Sequence, residues 1–135
     1  MTKFVIFGDL HGNIPKIYFK NFDAIIAPGD FCSDATRVYM FEALKNRLKD
    51  PDYKGSWYDL IGRKRAKKEV KKSLKDGRVV LEKVNSYNVP AYIVPGNWDW
   101  TKESKADFSY LRKDHYKDLI KGLNNINDCY YRLIK

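Results

Sequence analysis

The sequence predicts an α/β fold, with a mostly parallel sheet and helices flanking it. Three observations carry this. Short apolar runs alternate along the chain with longer helix-forming stretches, the rhythm of parallel strands joined by crossovers. Three of the runs, residues 3–8, 24–27 and 90–94, are short, apolar and continuous, as buried strands are. Each of the three is followed by a turn carrying an Asp or Asn, at the edge where such sheets bind ligands.

Taken in order, residues 3–8 are rich in β-formers and end at Gly8-Asp9. Residues 13–21 read as a short helix, with Pro15 tolerated in its first turn. Residues 24–27 form a second strand that stops at Pro28-Gly29-Asp30. A helix over 34–49 follows, with an apolar stripe of Val38, Phe41, Leu44 and Leu48, and Asp50-Pro51-Asp52 ends it. Helix formers dominate from Trp57 to about Tyr87, interrupted at Gly62 and Gly77. Residues 90–94 are the third strand, ending at Pro95-Gly96-Asn97. Residues 102–123 read as mostly helical, and 128–134 alternate like a final strand. The 135 residues fit one domain, with no internal repeat and no low-complexity linker.

Composition bounds the class. Apolar residues make up 44% of the chain, enough for a real core, and no run approaches the roughly 20 apolar residues of a membrane span. The start, Met1-Thr2-Lys3, leads straight into a strand-like segment, unlike a secretory signal, so a cytoplasmic protein is expected. Two cysteines, Cys32 and Cys129, lack the close-spaced partners of a zinc ribbon and read as free packing thiols. The formal charge of +9 attracts anions, phosphorylated molecules or nucleic acid without choosing between them.

The strand ends carry the chemistry. The first loop is Gly8-Asp9-Leu10-His11-Gly12, and an Asp and a His two apart can face one centre from an extended turn. The second loop adds Asp30. The third, Gly96-Asn97-Trp98-Asp99, adds an amide oxygen and another carboxylate. Divalent metals such as Mn²⁺, Fe²⁺ and Zn²⁺ accept mixed oxygen and nitrogen ligands, and crowded carboxylates repel unless a cation lies between them.

These motifs resemble those of the calcineurin-like metallophosphoesterases, which carry Asp-x-His, Gly-Asp and Gly-Asn-His-Asp/Glu at strand ends in this order. The resemblance runs from Lys3 to about Asp99, with its extension through Lys135 expected, and implies the amino-terminal half of a four-layer α/β/β/α sandwich. It implies hydrolysis of phosphate mono- or diesters by a dinuclear centre of Mn, Fe, Ni or Zn, two ions per complete site. Asp9 and His11 would bind the first metal, Asp30 would bridge, and Asn97 would bind the second. Asp99 would orient the His of the third motif.

Two departures matter. Trp98 stands where the family has that His, and an indole has no titratable proton to give a leaving group, which tilts the expectation toward diesters. The family's second half also supplies Gly-His and Gly-His-x-His, and here the only other histidine is His115, on a helical stretch and a poor ligand candidate. The chain is therefore expected to be a truncated domain over 1–135. It would need a complementing carboxyl-terminal half or a homodimer partner, or else persist as a non-catalytic scaffold with weak metal binding. The expected substrate is a phosphorylated small molecule or nucleotide.

Other features have plainer readings. The basic run over 63–72 suits a solvated helix face better than a nucleic-acid patch. Trp57 and Tyr58 suit an anchor between this helical region and the body better than a base-stacking platform. Trp100 fits a substrate pocket and plain packing equally well.

Overall fold

The computed structural model describes residues 1–131. Four strands form one parallel sheet: β1 (Phe4–Ile6), β2 (Ala24–Ala27), β3 (Ala91–Ile93) and β4 (Ile126–Asp128), ordered as in the chain. The α/β class with flanking helices is as the sequence predicts. Between β2 and β3 run α1 (Arg37–Lys49), α2 (Trp57–Ile61) and α3 (Arg63–Asn85). Between β3 and β4 lie a 3₁₀ turn (Ser109–Arg112) and α4 (His115–Leu119).

Register aligns Val5, Ile25, Ala91 and Ile126 in one row and Ile6, Ile26, Tyr92 and Asn127 in the next. Successive rows face opposite ways. Sequential strand order with right-handed crossovers places every connection on the same side of the sheet. Burial agrees: Ile25, Ala27, Ala91 and Ile93 pack with Val80, Leu81 and Val84 of α3 and Tyr116 and Leu119 of α4. The other face is open, leaving Phe4 53%, Ile6 68% and Ile26 36% exposed.

α3 forms because its buried residues, Ala66, Val70, Ser73, Gly77, Val80, Leu81 and Val84, recur at helical spacing. Gly77 does not interrupt it. A Cβ there would strike the Cys32 Sγ, so the glycine lets α3 sit against the loop after β2. Gly62 does break the helical region, with φ of 83° separating α2 from α3. Asp59 accepts the Ser56 N–H at 3.0 Å and fixes the start of α2. Trp57 and Tyr58 are buried with Ala43, Ala66, Val70, Phe108 and Leu111, the anchoring role their position suggested. The basic residues of 63–72 are all exposed, and Arg63 pairs with Asp59 and Asp107 at the surface.

Four further expectations are corrected. Residues 13–21 form no helix; Ile14, Tyr18 and Phe19 are exposed, so these nine residues bury too little to offset helix nucleation. α1 begins at Arg37 rather than 34, and its stripe of Val38, Phe41, Leu44 and Leu48 faces solvent, while Ala43 is its buried contact. Periodicity identifies a stripe but not a partner. Residues 102–123 are mostly irregular, because Phe108 and Leu111 pack into one cluster and Tyr116, Leu119 and Leu123 into the other, rather than along one helical face. The final strand is Ile126–Asp128, earlier than 128–134; Cys129–Tyr131 are not strand, and 132–135 lie outside the described residues. No described helix is long and apolar enough to cross a membrane.

Candidate metal centre

The loops after β1, β2 and β3 meet at one edge of the sheet and are stitched together through their backbones. The His11 N–H donates to the Asp30 carbonyl and the Gly12 N–H to the Phe31 carbonyl, each at 2.8 Å. Asp99 ties the third loop to the second. Its carboxylate accepts the N–H groups of Asp30, Phe31 and Gly96 at 2.8 Å and of Cys32 at 3.0 Å. Burial pushes the Asp99 carboxyl up, and the four N–H donors pull against that. The Trp98 N–H donates to Asp30 Oδ1 at 3.0 Å. Gly96 lies so close that a Cβ there would strike the Asp30 carboxylate.

α3 braces the same loop from below. Ser73 donates its hydroxyl to the Ser33 carbonyl at 2.6 Å, and Ser33 donates to Asp76 at 2.8 Å. Cys32 is fully buried, and burial with Asp99 beside it pushes the thiol up, so it is an inert packing group as expected. Cys129 is a free, half-buried thiol.

Held this way, Asp9, His11 and Asp30 each offer a ligand atom, all within 4.8 Å of one another. All three have positive φ, 52°, 45° and 56°. Such backbone costs of order 1–3 kcal/mol per residue and persists where surroundings over-determine it, often at ligand sites. His11 Nδ1 is buried and has no hydrogen-bond partner among the described residues. An imidazole grouped with two carboxylates, one of its nitrogens left without a partner, fits a divalent cation, which would offset the carboxylates' repulsion.

The other expected site residues fall differently. Asn97 is exposed on the third loop, directly before the residue whose N–H contacts Asp30. Asp99 is fully buried and binds backbone rather than a side chain of its own motif. His115 is buried, with Nε2 2.8 Å from the Tyr110 carbonyl, and is not part of the cluster. Sequence reasoning missed Ser33, Ser73 and Gly77 as the brace of the Asp30 loop; only the small residues at helical spacing on α3 hinted at a close approach. Compared with known proteins, the chain matches no family model, no curated protein and no solved structure.

Proposed function

We propose that this chain is the metal-binding half of a calcineurin-like phosphoesterase that hydrolyses phosphate mono- or diesters. The observation that supports it most is the convergence of Asp9, His11 and Asp30 from two strand ends, with His11 Nδ1 buried and unpartnered among the described residues. These three residues would hold one divalent ion of the Mn, Fe, Ni or Zn class. A bound ion of this kind polarises a phosphoryl oxygen and acidifies water.

The chain's own groups do the rest. Asp99 fixes the second and third loops against each other, so the Asp30 carboxylate stands in one place. The exposed Asn97 amide offers a neutral oxygen toward a second ion, or a donor toward a phosphate. The net charge of +9 draws anionic substrate to the surface. Trp98 supplies no proton, so esters with good leaving groups and diesters suit the site. In this reading the open face of the sheet receives the second sheet of a four-layer sandwich, from a complementing half or a second copy.

A second reading, a half-domain with weak metal binding and no turnover, is favoured by the ligand count. Among the described residues the cluster has three protein ligands, and His115 is committed to Tyr110. Calorimetric titration with Mn²⁺, paired with hydrolysis of bis-p-nitrophenyl phosphate, separates the two. The enzyme reading expects stoichiometric binding and turnover, both lost in Asp30→Ala. Sub-stoichiometric binding with no turnover under Mn²⁺, Ni²⁺, Co²⁺ and Zn²⁺ supports the second reading, and no metal binding at all sinks both.

A further inference from the structure

Beside the third loop lies a recess of ≈ 290 Å³ lined by Trp57, Trp98 and Trp100, with Asn97, Lys102 and Glu103 among the residues at its edge. The chain has three tryptophans, and all of them line this one recess. Two of the rings are fixed. Trp57 is buried against Trp100, with ring centres 6.2 Å apart and planes at 52°. The Trp100 indole N–H donates to the Ser73 hydroxyl at 2.9 Å. Trp100 also has φ of 54°, a conformation that bulky residues rarely adopt, so its neighbours hold the indole where it is at the expense of its backbone. Trp98 differs. It is half-buried, and no aromatic ring among the described residues stacks on it.

Lys102 and Glu103 both line the recess with opposite formal charges, so it presents no net charge to an anion. Two fixed indole walls and one unstacked indole suit a neutral planar ring, which would gain stacking on Trp98. The backbone of Trp98 meanwhile contacts Asp30 of the candidate metal centre. Trp98 therefore links the recess to the loop that carries Asp30.

We infer that the recess is a binding site for the planar aromatic group of a phosphoester, a nucleobase or a simple aryl ring. The link to phosphate rests on the phosphoesterase reading; the ring site itself does not.

Because all three tryptophans line the recess, intrinsic tryptophan fluorescence reports on it directly. In buffer with EDTA the full chain is titrated with adenosine, phenol and ribose. Adenosine is expected to quench saturably and ribose not at all. Trp98→Ala weakens the adenosine response by roughly tenfold, and Trp98→Phe, which keeps a stacking face, restores most of it. Phenol binding as tightly as adenosine also supports the ring site and assigns it to aryl esters over nucleotides. Equal quenching by ribose, no quenching by adenosine, or an unchanged response in a Trp98→Ala chain of native circular dichroism would each overturn the site.

A second titration, adenosine 5′-monophosphate with and without Mn²⁺, keeps the two ideas apart. Tightening by Mn²⁺ that disappears in Asp30→Ala supports the shared site. Adenosine binding that survives while Mn²⁺ changes nothing leaves the ring site standing and counts against the phosphoesterase reading alone.

Discussion

The two faces of the sheet are built from similar residues and meet opposite fates. Ile25 and Ile26 are neighbours in β2; one is fully buried and the other is 36% exposed. On the covered face α3 and α4 close over Ile25, Ala27, Ala91 and Ile93. On the open face Phe4, Ile6 and Ile26 stand bare. The difference is one of topology rather than hydrophobicity. Strands taken in sequential order carry all their crossovers to one side, so apolar character alone cannot say which residue ends up dry. The candidate metal centre lies where the strands end, and its bracing comes from the covered side, through α3 and Asp99.

The sharpest way to break the covered side is at Asp99. Asp99→Ala would leave four N–H groups without their acceptor, at about 1–3 kcal/mol for each that stays buried and unpaired. The expected result is a chain that is unfolded, or destabilised by at least about 3 kcal/mol, in urea melts followed by circular dichroism. A variant within about 1 kcal/mol of the parent would show that the carboxylate is not the hub of these loops.

Next in size is the β2 pair. Ile25→Ala should cost about 2–5 kcal/mol, as deletions in a packed core do. Ile26→Ala, one residue away, should cost under about 1 kcal/mol. Equal costs, measured by the same melts, would mean that the second face is covered in solution.

A smaller effect on stability, with a larger one on binding, is expected at Gly96→Ala. Its Cβ would strike the Asp30 carboxylate, so the loop must shift. Stability should fall by about 1–3 kcal/mol, in line with overpacking elsewhere, and Mn²⁺ binding by at least tenfold in calorimetry. Native Mn²⁺ affinity in a folded Gly96→Ala chain would separate Asp30 from the metal reading.

The smallest stability effect belongs to the open face. Ile6→Lys should change stability by no more than about 0.5 kcal/mol. If a second copy covers this face, the same change should abolish concentration-dependent association in light scattering. A parent chain that is monomeric at every concentration would leave the complementing half as the occupant in the phosphoesterase reading.

Much of the site's raw material was legible in the chain. Residues 24–27 and the Asp9, His11 and Asp30 turns could be placed because strand runs and Gly-Asp punctuation are local signals. The 13–21 and 102–123 segments were misread as helices because spacing does not show packing: Ile14, Tyr18 and Phe19 are exposed, and in 102–123 Phe108 and Leu111 join one cluster while Tyr116 and Leu119 join the other. The stripe on α1 was real, but its exposure was not visible in its spacing.

By itself, then, the sequence determined the class of fold, the order of the strands along the chain and the set of turn residues from which Asp9, His11 and Asp30 come. These follow from periods and turns spanning a few residues. Tertiary structure alone decided the open face of the sheet, the enclosure of three indoles in one recess and the role of Asp99, whose partner Asp30 lies 69 residues away. A carboxylate in a turn reads the same whether it caps its own loop or holds another, and only folding brings the four N–H groups to it.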